Sequence, residues 1–392
     1  MKNKTSNQEN RLLASLFSLK LILRIFAFFK KKEKNKTILL INYNNLGDII
    51  CDTPSLRNIR KAYQEERVIL LVRNQGCIEL MKKCPYIDMA IEMPHSRDSL
   101  KEYFSFCKKL LKYDFIFSMQ FVRPFFEIKR SHIAYLLGIK ERYGLIQNGF
   151  EEYYRKTFTH CFYLKNNTTR TEESLELLRL KKIPIDSEET ECWIDHSNVQ
   201  MHYEQRYIVI QTCATMLGRM WHNVLFTELI DRFCEEYNAS ILLTGTQEEF
   251  AYISNIRNNC HYKEKIEIVC NINIDTLLEL ISKAELMVTN DTGPFHFARA
   301  LDTPLVALFG ISPPEYLLRE ETKQCKILRG RATCNKSCQI GIDSRYECKK
   351  IYKMFGDEYH CINNISAEDV MRKINELIHQ NSNINISSRS KV

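Results

Sequence analysis

Short apolar runs alternate with amphipathic stretches along most of the chain. A run of five or six apolar residues fits a strand buried on both faces, and the intervening stretches repeat apolar residues at helical spacing. The predicted strands lie near 38–43, 67–72, 87–91, 114–118, 207–211, 240–244, 266–270, 285–289 and 304–309. The predicted helices lie near 48–63, 76–83, 98–111, 126–137, 222–236, 247–257, 274–283, 294–301 and 367–378. This alternation predicts an α/β protein with parallel sheets and right-handed crossovers.

The length of the chain, 392 residues, exceeds what a single core usually holds, so two domains are expected. Both halves alternate strands with helices, which favours two Rossmann-like domains facing across a cleft. We predict a first domain over 37–195 and a second over 196–380, joined within a polar stretch. The Ser/Asn-rich end, 381–392, is expected to be loose.

The net positive charge of the chain comes from its first 36 residues. That tail holds ten Lys or Arg against two Glu, which accounts for the whole net charge of +8. The rest of the chain is neutral, so the composition argues against a nucleic-acid-binding body.

Within the tail, Leu12–Phe29 is rich in Leu, Ile and Phe, but Lys20 and Arg24 interrupt it. It is a poor membrane span and lacks the cleavage site of a signal peptide. On a helix, Lys20, Arg24 and Lys31 fall on one stripe, so we predict an amphipathic helix in the lipid interface. The cluster Lys30–Lys36 would strengthen its attraction to anionic lipids. The alternatives are a helix packed on the protein itself and a disordered leader.

The chain contains fifteen cysteines, an odd number scattered along its length. This pattern predicts reduced thiols in a reducing compartment, so we expect a cytoplasmic protein. Together with the predicted interfacial helix, it predicts a peripheral protein on the inner face of the cytoplasmic membrane. Cys334, Cys338, Cys348 and Cys361, beside His360, present a possible zinc site. Their irregular spacing favours the alternative, free thiols packed in a loop.

Residues 290–296 read Asn-Asp-Thr-Gly-Pro-Phe-His, between an apolar strand and a helix. Asp291 and Thr292 are good N-cap residues, and the proline suits a first helical position. Gly293 allows close approach to the backbone, and a helix start offers free N–H groups to an anion. This segment therefore predicts a phosphate site to which His296 contributes. The alternative is an ordinary capped helix with a surface histidine.

Residues 38–60 place a turn and Asp48 directly after the first predicted strand. Leu46-Gly47-Asp48 is followed by Thr53-Pro54-Ser55-Leu56-Arg57. With Asp291–His296 and the later Thr303–Gly310, these segments resemble the heptosyltransferases, glycosyltransferases of family 9 that build the lipopolysaccharide core. The resemblance extends from about Thr37 to about Ile378.

The resemblance implies that Asp48 is the catalytic base, with inversion at the anomeric carbon. An alcohol is a weak nucleophile until its proton is removed, and a carboxylate in a cleft can remove it. The alternative is that Asp48 merely caps its helix. The family needs no metal, and this chain has no Asp-x-Asp. We therefore expect no metal and no cofactor.

The family places a lysine before Trp221 to hold the donor phosphates, and here that position is Arg219. His222 stands where the family usually has proline, and Glu249 matches a nucleoside-contacting region, although Glu248 is adjacent. The expected substrate-binding residues are Thr212, Thr215, Arg219, Glu249, Asp291, Thr292, Gly293 and His296.

The sequence as a whole predicts a glycosyltransferase that moves a sugar, heptose from ADP-heptose by the resemblance, onto a lipopolysaccharide-core or related saccharide acceptor. The first domain would bind the acceptor and the second the nucleotide-sugar donor. The glycine-rich fingerprints of dehydrogenases and P-loop NTPases are absent from the sequence. The alternative is a non-catalytic binding protein for a sugar nucleotide or glycan.

Four basic residues lie in the predicted acceptor loops. They would bind a phosphorylated or acidic saccharide, and the alternative is that they are surface charges. They are Arg123, Lys129, Arg130 and Arg142.

Overall fold

The computed structural model describes residues 2–122, 128–146, 154, 157–165, 168–330, 361–382, 384 and 386, with side chains from residue 14 onward except that of Ile128. The chain divides into two compact units, a first unit Met1–Glu189 and a second unit Thr190–Val392. Each unit is built around one parallel sheet of six strands, which confirms the predicted α/β class.

The sheet of the first unit has the order β3-β2-β1-β4-β5-β6. Its strands are β1 (Lys36–Asn42), β2 (Arg67–Val72), β3 (Met89–Glu92), β4 (Asp114–Gln120), β5 (Glu141–Ile146) and β6 (His160–Tyr163). Its helices are α1 (Lys2–Phe29), α2 (Leu46–Ile50), α3 (Thr53–Ala62), α4 (Gln75–Met81), α5 (Leu100–Leu110), α6 (Ile128–Ser131), α7 (Ile133–Leu136) and α8 (Arg170–Lys181). The central strand β1 is buried from Thr37 onward, as its unbroken apolar run requires.

The sheet of the second unit has the order β12-β11-β10-β7-β8-β9. Its strands are β7 (Tyr207–Gln211), β8 (Ser240–Gly245), β9 (Ile266–Cys270), β10 (Leu286–Asn290), β11 (Leu305–Phe309) and β12 (Cys325–Arg329). Its helices are α9 (Asn223–Glu236), α10 (Phe250–Asn259), α11 (Ile274–Ser282), α12 (Gly293–Ala300) and α13 (Ala367–Gln380).

Both sheets follow the doubly wound strand order, so each contains a point at which the order reverses. That point lies between β1 and β4 in the first unit and between β7 and β10 in the second. In open α/β sheets, ligands bind at the carboxyl ends of the strands beside this point. The segments after β1, β7 and β10 are therefore the ones placed to bind ligands.

The predicted helix over 48–63 is wrong as a single element, because the chain forms α2 and then α3. Pro54 lies in the first turn of α3, where its missing N–H costs nothing, whereas in a continuous helix it would break the hydrogen-bond ladder. The predicted helix over 126–137 is likewise divided into α6 and α7 in its described part.

Among the described helices and strands, four were not predicted, namely β5, β6, β12 and α8. The strand β6 has four residues at a sheet edge, and β5 begins with two charged residues, so both lack a long apolar run. The helix α8 does carry a local signal, a capping box between Thr169 and Glu172.

The N-terminal helix α1 packs on the first unit along one face. Leu16 and Leu23 are buried in the same core cluster as Tyr103 and Leu136. The helix ends at Phe29, so the predicted stripe that included Lys31 is wrong beyond Arg24. Within the described part of the chain, no helix is long and apolar enough to span a bilayer.

Candidate functional site

Asp48 is the third residue of α2 and follows β1, beside the point at which the strand order of the first sheet reverses. Its side chain is half-buried. The N-cap position of α2 belongs to Asn45, so Asp48 is not the capping residue. No described residue forms a hydrogen bond or an ion pair with the Asp48 carboxylate. A carboxylate without these partners is able to accept a proton from a bound ligand.

A buried ion pair fixes the turn that follows Asp48. Both carboxylate oxygens of Asp52 accept hydrogen bonds from Arg170, at 3.0 and 2.7 Å, and one also accepts from Asn42 Nδ2 at 2.5 Å. Burial raises the pKa of Asp52 to about 6, although Arg170 favours its charged form. Sequence reasoning missed this pair, since the two residues lie 118 positions apart.

Arg219 and Asp291 lie together in the second unit. Arg219 ends a short 3-10 turn after β7, and Asp291 follows β10, the neighbouring strand. Arg219 Nε lies 3.1 Å from Asp291 Oδ2, in an ion pair that lacks hydrogen-bond alignment. The Arg219 side chain remains 36% exposed, whereas that of Asp291 is 4% exposed. Arg219 thus keeps a positive charge open to solvent beside the start of α12.

The helix α12 begins at Gly293, directly after its N-cap residue. Thr292 occupies the N-cap position in an extended conformation, but its side chain makes no capping hydrogen bond. The structure thus confirms Thr292 at the predicted N-cap position, but the first-turn N–H groups are not occupied by its side chain. His296 is buried, with its ring packed against Phe295 at 5.1 Å, so the alternative of a surface histidine is also wrong.

Gly310 holds the Arg219 turn against the sheet. A Cβ at Gly310 would lie 2.1 Å from the carbonyl oxygen of Gly218, so only glycine permits this approach. The N–H of Ile311 donates to the same oxygen at 3.2 Å. The end of β11 thereby positions the turn that carries Arg219.

Asn290 joins the turn to the start of α12. Its Nδ2 donates to the carbonyl of Thr212 at 2.8 Å, and its Oδ1 accepts from the N–H of Trp221 at 3.3 Å.

His222 is the N-cap residue of α9, where its ring accepts from Val224 N–H at 3.4 Å. His222, in place of the proline expected there, therefore caps the N-terminus of α9.

The remaining predicted donor residues are placed differently. Thr212 is fully buried, with its hydroxyl 3.6 Å from Cys213 Sγ, while Thr215 is exposed. Glu249 Oε2 accepts the N–H of Thr246 at 2.8 Å and so stabilises the start of its own turn. Among the described residues, neither Thr215 nor Glu249 forms a hydrogen bond or an ion pair with Arg219 or Asp291.

A cavity of about 180 Å³ lies beside the Arg219 turn in the second unit. It is lined by Leu217, Met220, Trp221, His222, Asn223, Tyr252 and Asn363. None of these was among the predicted substrate-binding residues.

The basic residues of the predicted acceptor loops donate to backbone carbonyls. Lys129 donates to Asp98 and Arg130 Nε to Pro94 at 2.9 Å, and Arg130 is fully buried. Their interpretation as surface charges is therefore wrong for Arg130. Arg123 lies outside the described residues.

The possible zinc site falls mainly outside the described residues, which exclude Cys334, Cys338 and Cys348. Cys361 is described and buried. Within the described part of the chain, no three His, Cys, Asp or Glu side chains are grouped to hold a metal ion.

The chain is similar to known glycosyltransferases. Residues 150–344 match the family model "Glycosyltransferase family 9 (heptosyltransferase)". Lipopolysaccharide heptosyltransferase 3 of Escherichia coli is 25% identical over 286 residues, which cover 67% of this chain and 80% of that protein.

Solved structures share the fold. The structure of ADP-heptose lipopolysaccharide heptosyltransferase II of E. coli has a TM-score of 0.66 at 18% identity, covering 88% of this chain and 99% of that one. That of E. coli heptosyltransferase WaaC with ADP-2-deoxy-2-fluoro heptose has a TM-score of 0.64 at 14% identity, covering 87% and 99%. These findings identify the chain as a heptosyltransferase-like glycosyltransferase that contains a domain of glycosyltransferase family 9.

Proposed function

We propose that this enzyme transfers a heptose from ADP-heptose to a saccharide of the lipopolysaccharide core. The observation that carries the proposal is the Arg219–Asp291 pair beside the start of α12, where the side chain of Thr292 makes no capping bond. Both lie where the strand order of the second sheet reverses. The relatives named above support the choice of sugar, because their names specify lipopolysaccharide heptosyl transfer.

The second unit is proposed to bind the donor diphosphate. Negative charge develops on the leaving nucleoside diphosphate as the glycosidic bond breaks, and it must be stabilised. The N–H groups of α12 and the open charge of Arg219 supply that stabilisation, with His296 at the same helix start. These groups take the role that a metal ion has in other sugar-nucleotide enzymes, so we propose a metal-independent reaction.

Asp48 is proposed to be the catalytic base, in the unit that binds the acceptor. The acceptor hydroxyl oxygen attacks the anomeric carbon, its proton passes to Asp48, and the nucleoside diphosphate leaves with the bonding electrons. Because one displacement occurs from the side opposite the leaving group, the anomeric configuration is inverted. Support comes from the half-buried Asp48 carboxylate, which has no hydrogen-bond or ion-pair partner among the described residues.

Replacement of the base tests this mechanism. Asp48→Asn should lower heptosyl transfer by about 10²–10⁴-fold, because the amide cannot take the proton, while donor binding persists. The control is Glu65→Gln, an exposed carboxylate-to-amide change in the same unit, which should transfer at the normal rate. Normal transfer by Asp48→Asn, measured as released ADP with a purified acceptor, would remove Asp48 from the mechanism.

Metal independence has its own test. Transfer should persist in excess chelator, because the proposed diphosphate site consists of protein groups alone. Loss of activity restored by magnesium or manganese would contradict the donor-site proposal. Loss restored only by zinc would point to the cysteines between Cys334 and Cys361.

We also propose that α1 holds the enzyme on an anionic membrane surface at the inner face of the cytoplasmic membrane. One face of α1 is exposed and apolar, with Phe28 85% and Phe29 79% exposed, and lysines follow directly. Helices of this kind lie in the lipid interface. Replacing both phenylalanines by serine should release the protein from anionic vesicles, and Phe250→Ser, an exposed change in the second unit, should not. Unchanged vesicle binding of the double variant would contradict this attachment.

A further inference from the structure

Three cationic side chains gather where α1 crosses the first unit. Lys20 Nζ lies 3.4 Å from the ring centroid of Tyr135, and Arg142 Cζ lies 5.7 Å from the same centroid. Arg24 follows Lys20 by one turn of α1, on the same side of the helix. The three cations come from α1 and β5, which flank the ring from α7.

No carboxylate balances this cluster among the residues that the structure describes. None of Lys20, Arg24 and Arg142 forms an ion pair with a described residue. Arg142 is held by backbone carbonyls instead, through Nε to Thr157 at 2.5 Å and through Nη1 to Ile139. Its position is thus fixed by neutral acceptors, which leave the charge uncompensated.

Burial and the two neighbouring cations together act on the charge of Lys20. Burial, followed by the charges of Arg142 and Arg24, lowers the pKa of Lys20 to about 8. The ring of Tyr135 offsets part of this effect by a cation–π interaction. A bound anion would stabilise the charged form of Lys20, so anion binding to this cluster is favoured.

The position of the cluster on α1 indicates where that anion comes from. Lys20 lies between the buried Leu16 and Leu23 and the exposed Phe17 and Leu21. On an interfacial helix, a lysine at the border of the apolar face reaches the level of the lipid headgroups. The phosphate of a lipid is the anion found at that level.

We propose that Lys20, Arg24 and Arg142 form a binding site for the phosphate monoester of an anionic lipid headgroup. A phosphate monoester carries nearly two negative charges and three acceptor oxygens, which suit three cations better than the single charge of a diester does. This inference rests on the proposed attachment of α1 to the membrane, and it adds a headgroup specificity to it.

Vesicle flotation of the full chain tests the specificity. Phosphatidylcholine vesicles that contain phosphatidate are compared with phosphatidylcholine vesicles that contain phosphatidylglycerol. The two kinds of vesicle are prepared with equal net charge. The unmodified protein should bind the phosphatidate vesicles about tenfold more tightly, and Lys20→Gln should abolish that preference. Lys31→Gln, an exposed lysine beyond the helix, should weaken binding to both vesicles equally and keep the ratio. Equal binding of the unmodified protein to both vesicles, or an unchanged ratio in Lys20→Gln, would overturn the site.

A second measurement separates failure of the site from failure of the membrane attachment. The titration of Lys20 is followed by NMR of ¹³C-methylated lysines, assigned with Lys20→Gln, without anion, with inorganic phosphate and with phosphatidate vesicles. Phosphatidate should raise the midpoint from about 8 towards the ordinary lysine value. A rise with inorganic phosphate but no vesicle binding would overturn the lipid source. Vesicle binding without any rise would overturn the phosphate site while the attachment stands.

Discussion

Arg219 stands where the family resemblance implies a lysine, and the two side chains differ in more than length. An arginine offers a planar fork of N–H donors, which suits two phosphate oxygens at once, whereas a lysine acts as a point charge. The buried Nε lies beside Asp291, while the Arg219 side chain as a whole remains 36% exposed. At the residue scale, arginine preserves the charge expected at this position and gives the proposed diphosphate site a different donor geometry.

Arg219→Ala should weaken binding of the nucleoside diphosphate by about 1.5–3 kcal/mol, the value of a charge-assisted hydrogen bond. Binding of the nucleoside alone should change far less, because the lost partner is phosphate. Calorimetry with both ligands measures the difference, and Arg232→Ala, a surface pair with Glu228 in the same unit, is the control. An equal loss for both ligands would remove Arg219 from the diphosphate site.

Among the elements, α2 and α3 are tied to α8 by the buried Asp52–Arg170 pair. A buried carboxylate that loses its cation must either remain charged in the interior or take up a proton. The position of the Asp48 segment therefore depends on a helix more than a hundred residues away in the sequence.

Arg170→Met should destabilise the first unit by about 3–5 kcal/mol at pH 8 and by less at pH 5. The folded-state pKa of Asp52, about 6 with Arg170 present, rises further without it. Below pH 6 Asp52 is mostly protonated in both folded proteins, so the part of the penalty that comes from its charge grows only as the pH rises through 6. The part that comes from lost hydrogen bonds and packing is present at both pH values. Urea unfolding at both pH values measures the penalty. The double variant with Asp52→Asn should lose this pH dependence, and its persistence there would assign it to other groups.

Gly310 connects β11 with the turn of Arg219. Gly310→Ala should displace that turn, because the added methyl would overlap the Gly218 carbonyl. We expect weaker nucleoside diphosphate binding together with a stability loss of about 1–3 kcal/mol. Gly76→Ala is the control for donor binding, because the added carbon meets only side-chain atoms of the first unit, Leu46 Cδ1 at 3.1 Å and Asn74 Oδ1 at 3.6 Å. Normal diphosphate binding by Gly310→Ala would show that the turn adapts.

For the whole molecule, each unit has its own core. The core cluster of the second unit runs from Ile208 to Ile386 and takes all its members from that unit. The Arg219–Asp291 pair and α12 also belong to that unit alone. Donor binding should therefore be a property of the second unit.

The fragment 190–392 should unfold cooperatively and bind the nucleoside diphosphate with an affinity comparable to that of the full chain. Calorimetry of the fragment with ADP measures this, and the fragment carrying Arg219→Ala is its control. A fragment that folds cooperatively but does not bind ADP would show that the first unit contributes to donor binding.

The sequence by itself determined the elements whose causes are local. The buried apolar runs define β1, β7 and β10, and Pro54 and Pro294 lie in the first turns of their helices, as fixed φ angles favour. The concentration of positive charge in the first 36 residues is also visible directly. Short edge strands such as β6 escaped prediction, because four residues at a sheet edge carry too weak a pattern.

Only the tertiary structure decided which distant residues meet. The strand order places β7 beside β10, and this alone brings Arg219 to Asp291. It likewise joined Asp52 to Arg170 and left one face of α1 buried and the other exposed. Periodicity and turn chemistry act over a few residues, whereas these contacts depend on the order of strands in a sheet, which no local pattern encodes.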